Sequence, residues 1–311
     1  MSLLTKTTAL ATLLLIFIGS LVTSTGSGLA VPDWPLSYGM LFPPMVGGIL
    51  YEHGHRMASA AVGLLVVVQA LVITWREPRR WVRVLAWVAV GAIVAQGLLG
   101  GLTVLFLLPT AISMTHAVLA QTLFLVLILI AHAQSGDWRR HLQERTASAW
   151  RPIAVLLGIV YLQLLLGALM RHTESGLAIP DFPLMGGTLL PRFDERMLDA
   201  VNAARFDLHL APVARGQVIV HFLHRLGALA TLVVLVLVNM RVRRRPAPRR
   251  VRQLLGAIDA LVIVQVALGA LTVLTAKSPI VASLHVLVGA GLLGATWWCL
   301  LCGRPVRERA A

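Results

Sequence analysis

The chain is short of charge, shorter still of acid, and almost without cysteine. Of its 311 residues 13% are charged and only 13 are Asp or Glu, whereas 58% are hydrophobic. The mean hydropathy is +0.82. So little charge excludes an ordinary soluble domain, because about half of a folded surface must still face water. A bilayer removes that demand. With two cysteines, Cys299 and Cys302, a disulfide-built scaffold is also excluded. Their C-x-x-C spacing falls at the end of an apolar run beside arginines, so the pair is read as incidental rather than redox-active. What is present in excess is positive charge, a net +14. The arginines stand in short clusters between apolar runs, a pattern that sets membrane topology and does not suggest nucleic acid.

A helix needs about 20 apolar residues to cross the hydrocarbon. Runs of that kind predict spans at 8–24, 54–75, 82–107, 113–134, 151–171, 217–240, 252–275 and 280–302. The first run, Leu10 to Val22, is read as a span and not as a cleaved leader. One side of the membrane receives Arg76, Arg79, Arg80, Arg83, Arg139, Arg140, Arg145 and Arg151. It also receives Arg241, Arg243, Arg244, Arg245, Arg249, Arg250 and Arg252, and the tail residues Arg304, Arg307 and Arg309. The loops at 108–112 and 276–279 are nearly free of positive charge. Both termini are therefore expected in the cytoplasm, with the chain in the cell (inner or plasma) membrane.

An internal repeat organises these spans. Thr25–Leu36 returns as Thr173–Leu184, an offset of 148 residues. His55-Arg56 returns as His224-Arg225, Gln96–Leu105 as Gln265–Leu274, and His116 as His285, all at an offset of 169. The second outer loop has thus gained 21 residues near 185–215. Its Asp194, Glu195, Asp199 and Asp207 suggest a short amphipathic helix over the outer face, either a gate or inert. Dense self-similarity fixes the architecture: an all-α integral membrane protein of eight helices, built as two pseudo-twofold-related four-helix bundles, 1–142 and 143–311. The odd helices share a small-residue step at Gly19-Ser20, Gly100-Gly101, Gly167-Ala168 and Gly269-Ala270, read as close packing.

Polar groups inside a span are costly without a job or a partner. Four of the ten histidines recur as two pairs, His55 with His116 and His224 with His285, each toward the outer ends of even-numbered spans. Two imidazoles facing each other across a four-helix bundle make a natural axial pair for heme iron. Zinc or copper also takes neutral imidazole, but no carboxylate or thiolate completes a four-ligand set in both halves. Arg56 and Arg225 are candidate contacts for heme propionates, with snorkelling toward headgroups as the alternative. His132, His141, His172 and His209 are read as solvated, and His53 as a neighbour polarising Glu52.

The halves also differ. Glu52, one turn before His55, is matched by His221 in the second half. A carboxylate beside the first pair alone suits proton transfer. Chemistry is therefore expected in the N-terminal half and a redox relay in the C-terminal half.

At these residues the chain resembles the heme A synthases, membrane enzymes of cytochrome oxidase assembly. The resemblance rests on G-S-G-L-A-x-P-D-W-P-L at Gly26–Leu36, E-x-x-H-R at Glu52–Arg56 and T-H-A at Thr115–Ala117. In the second half it rests on Glu174–Leu184, His224-Arg225 and Leu284-His285. It implies oxidation of a ring methyl of heme O to a formyl group by successive hydroxylations. It further implies heme O held between His55 and His116, Glu52 as the essential acid, and a resident heme b on His224 and His285. The implied partners are an electron donor, which the sequence does not identify, and candidate contacts with heme O synthase and cytochrome oxidase assembly factors. Many relatives carry a cysteine pair flanking the P-D-W-P-L segment. Here Val31 and Ser37 stand in those places, with Ile179 and Met185 in the second loop, so a mechanism through outer-loop thiols is excluded. Two other readings compete: a bis-histidine carrier or electron-transfer cytochrome that modifies nothing, and a transporter of parallel repeats, which lacks broken helices and midplane charges.

Overall fold

The computed structural model describes residues 1–138, 150–244 and 247–303. Arg139, Arg140, His141, Arg145, Arg245, Arg304, Arg307 and Arg309, and the expected boundary at 142/143, lie outside the described residues. Among those described, eight helices are long and apolar enough to cross a membrane, and no strand is present. They are α1 (Ser2–Ser24), α2 (Gly47–Arg76), α3 (Arg80–Leu105), α4 (Thr110–Ala133), α5 (Trp150–His172), α7 (Arg215–Arg243), α8 (Arg249–Leu274) and α9 (Pro279–Gly303). A ninth helix, α6 (Glu195–Asp207), is short and falls in the 21-residue insertion. Asp194 caps it by accepting the Met197 N–H at 2.9 Å.

Prolines set several ends. Glu77 precedes Pro78 and takes an extended conformation, which stops α2. Pro279 opens α9 in its first turn, where no N–H is needed. Two helices start earlier than hydropathy suggests: α1 at Ser2, and α2 at Gly47. Counting apolar residues measures only the hydrocarbon crossing, whereas α2, with 30 residues, is about 45 Å long against roughly 30 Å of hydrocarbon. Its first turns carry Glu52.

The packing closes two rings. α1 packs on α2 and α4, and α3 on α2 and α4; likewise α5 packs on α7 and α9, and α8 on α7 and α9. This fits one four-helix bundle per half. The seam between them is made by α9 against α1 and α4, and by α4 against α5. Small residues let α9 in: a Cβ on Gly294 would stand 2.8 Å from Ile128 Cδ1 and 2.9 Å from Phe124 Cε1. Trp297 Nε1 donates across the seam to the Leu125 carbonyl at 3.0 Å.

His132 corrects an expectation. It is not solvated but wholly buried, with its ring edge-on to Trp138 and Trp298. Such aromatic cover hides a polar side chain from a reading that counts charge clusters. His209 is exposed, and His172 half-buried. Cys299 and Cys302 are free and buried in the helical core.

A buried acid ties part of the arginine-rich end. Glu77, 5% exposed, accepts from Arg79 Nε at 2.6 Å and Nη2 at 2.8 Å, and also from Gln134. Arg79 donates on to the Ala133 carbonyl, so the cluster joins the end of α2 to the end of α4. The Arg79 guanidinium holds the Glu77 carboxyl down to about 2, from an ordinary 4.5. A lowered acid adds stability above its unfolded value and loses it as pH falls through its folded value. Glu77→Gln is expected to cost about 2–3 kcal/mol near neutrality and to flatten the acid dependence between pH 4.5 and 2. Thermal melting in detergent across that range checks it; parallel curves for the variant and the parent would refute the assignment.

Candidate functional site

Each P-D-x-P-L segment folds into the same device. Asp33 accepts the Tyr38 and Gly39 N–H groups at 2.7 and 2.8 Å, and Asp181 accepts those of Gly186 and Gly187, both at 2.9 Å. These turn residues have left-handed backbones, φ 54 and 69 in the first loop and 67 and 78 in the second. Glycine takes that conformation without strain. The Gly39 N–H, with help from Tyr38, holds the Asp33 carboxyl below the usual range.

Each loop is then fastened to the next long helix, α2 or α7. Arg56 donates to the carbonyls of Asp33 and Leu36 at 2.8 and 2.7 Å, and to Glu52 Oε1 at 2.6 Å. Glu52 Oε2 accepts the Val31 N–H at 2.8 Å. In the second half Arg225 donates to the carbonyls of Ile179, Asp181 and Leu184. His221 occupies the place of Glu52. Its Nδ1 lies 3.2 Å from the Ile179 N–H and its Nε2 3.1 Å from Arg225 Nε. A neutral imidazole has one acceptor nitrogen and can satisfy one of these donors, whereas a carboxylate satisfies both. The two arginines hold loops. His53 does not serve Glu52: it is buried, with Nδ1 at 2.8 Å from Ser37 Oγ. The sequence gives no spacing signal for that pair.

The four repeated histidines share one seat. Their rings lie against glycines of the neighbouring odd-numbered span. A Cβ would stand 2.9 Å from His55 Cε1 at Gly19, 3.5 Å from His116 Cε1 at Gly100, and 3.1 Å from His224 Cε1 at Gly167 and from His285 Cε1 at Gly269. The small-residue step is thus more than helix packing, because it makes room for imidazole. His224 and His285 face each other with ring centroids 6.4 Å apart and planes at 71°. His55 and His116 lie within electrostatic reach of each other. Nδ1 of His55, His116 and His285 is buried with no hydrogen-bond partner. The repeated glutamines stand beside the second histidine of each pair, Gln96 donating to the His116 carbonyl at 2.9 Å and Gln265 Nε2 lying 3.4 Å from His285 Nε2.

The insertion covers only the second loop. Met197 and Val201 of α6 pack on Gly186, and Arg205, buried, donates to the carbonyls of Leu177 and Ala211. Asn202 closes a two-way bond with Val213. Nothing equivalent follows the first loop. There Leu41 and Phe42 are exposed.

Eight long apolar helices with paired, glycine-seated histidines define a multi-pass membrane protein with a duplicated candidate ligand site. A family profile, COX15-CtaA, described as cytochrome oxidase assembly protein, matches residues 47–297, which contain all four histidines. The chain belongs to that family. Among curated relatives, the heme A synthase of Shouchella clausii is 30% identical over 86% of this chain and 85% of its own length. That of Caulobacter vibrioides is 33% identical over 78% of this chain and 70% of its own. The match to the heme A synthase of Alkalihalophilus pseudofirmus, at 31% identity, spans 59% of this chain and 64% of that protein.

Proposed function

We propose that this protein is a heme A synthase, an oxidoreductase that converts a ring methyl of heme O to a formyl group by successive hydroxylations. The observation that carries the reading is the facing of His224 and His285 at 6.4 Å, repeated in sequence by His55 and His116. An iron bound by both imidazoles at about 2 Å sets ring centres about 6 Å apart, so the pair fits an axial couple. The glycine seats agree with rings held in place for a ligand.

His224 and His285 would hold a resident heme b, which supplies electron transfer when bound. His55 and His116 would position heme O. Arg56 and Arg225 each follow a ligand histidine and would border the propionate edges while keeping the loops closed. Glu52, a turn before His55, would move protons beside the substrate, and its bonds to Val31 N–H and Arg56 fix where its oxygens stand. The cell membrane, cytoplasmic termini and sites toward the outer face follow from the arginine distribution. The electron donor, heme O synthase and oxidase assembly factors belong to the same reading as partners.

The test is extraction and chromatography of hemes after expression beside a heme O synthase. Heme A is expected, and a non-modifying carrier would leave the heme inventory unchanged. Glu52→Ala and Glu52→Gln are each expected to lower heme A formation about 10²–10⁴-fold while low-spin heme b remains. Full activity in Glu52→Gln, which keeps an acceptor for Val31, would leave Glu52 a loop fastener and reject its acid role.

A further inference from the structure

The two halves differ at a pair of positions that the reaction does not explain. Gln163 on α5 lies one turn before Gly167, the glycine under the His224 ring. Its Nε2 donates to the His224 carbonyl at 2.8 Å and stands 3.2 Å from His224 Nδ1 and 3.4 Å from its Nε2. Its Oε1 is buried with no donor. A glycine at 227 leaves the amide this position: a Cβ there would meet Gln163 Oε1 at 2.1 Å and displace it. At the repeat offsets of 148 and 169 the N-terminal half has Leu15 and Ala58. The two differences compensate each other, polar with glycine in one half and apolar with alanine in the other. Of the four repeated histidines, only His224 has a side-chain group within hydrogen-bond distance of Nδ1; the other three Nδ1 atoms have none.

We infer that Gln163 is a positioning residue for His224, setting the orientation and basicity of that imidazole as an axial ligand, and that Gly227 exists to admit it. An imidazole that binds metal through one nitrogen carries its proton on the other, and a partner at that proton fixes the ring and tunes the metal. With iron on Nε2 the Nδ1 proton needs an acceptor, so on heme binding the amide turns Oε1 to the ring and exchanges its Nε2 bond to the His224 carbonyl for one from Nδ1–H. Leu15 offers His55 no acceptor. The resident site is thereby built for a fixed ligand field and the substrate site is left without one. The inference rests on the heme reading above.

The test uses the purified full chain carrying its low-spin heme. Gln163→Leu with Gly227→Ala copies the N-terminal surroundings. It is expected to speed heme loss to apomyoglobin about 10–100-fold and to raise the midpoint potential. Gln163→Glu, a stronger acceptor, is expected to lower the potential and change the low-spin electron paramagnetic resonance signal. Leu15→Gln with Ala58→Gly is expected to leave that heme's potential in place. If the leucine–alanine variant does not fold, Gln163→Glu decides alone, and an unmoved potential overturns the inference. A parent carrying heme whose variants keep its loss rate and potential overturns this inference only. A parent with no low-spin heme overturns the proposed function and this inference with it.

Discussion

Gly19→Ala is expected to cost the N-terminal site its histidine pair. The added Cβ would stand 2.9 Å from His55 Cε1, a distance real contacts do not reach, and the ring must swing off its seat. Overpacking a tight core costs about 1–3 kcal/mol, and under the proposed function a displaced His55 would add a loss in heme affinity of about 10–100-fold. Gly167→Ala and Gly269→Ala, at 3.1 Å, are expected to act in the same direction on the other pair, more weakly. Gly100→Ala is the internal control. At 3.5 Å from His116 its Cβ makes ordinary contact, and alanine is the better helix former by about 0.5–1 kcal/mol. The series is read by heme stoichiometry and melting temperature. Equal tolerance at Gly19 and Gly100 would show that the rings are not held where the structure puts them.

The other large effect lies away from the paired histidines. Gly294→Val should push α9 off α4, because the new side chain would enter the space of Ile128 and Phe124. α9 is the helix on which the seam depends: 61% of its apolar window is buried, against 11% for α8. The expected cost is about 3 kcal/mol or more, since a buried helix between two packed neighbours has no direction in which to relax. It should be accompanied by loss of the Trp297 bond to Leu125. Thermal unfolding and limited proteolysis in detergent measure it. Unchanged melting would mean that the halves meet differently.

Much of this architecture was legible because a bilayer demands long apolar runs and a duplication announces itself twice. The eight spans, the two histidine pairs and the short helix at Glu195–Asp207 all follow from those two signals. What stayed hidden was what each polar group touches. Arg56 and Arg225 sit beside histidines in sequence, yet their donors go to loop carbonyls twenty or more residues away. His132 lies under two tryptophans, one of them 166 positions further along. The glycine step looked like packing because spacing shows where a side chain is missing, not what fills the gap. Gln163 and Gly227 gave no motif at all. They become visible only when the two halves are superimposed by offset and the room at residue 227 is measured.

The helix α6 has a consequence for time rather than shape. It adds Arg205, Met197 and Val201 to the bonds that hold the second loop, whereas the first is held by those of Arg56, Glu52 and Asp33. Under the proposed function the slower exchange is then expected in the half assigned the resident heme, and the faster in the half assigned the substrate.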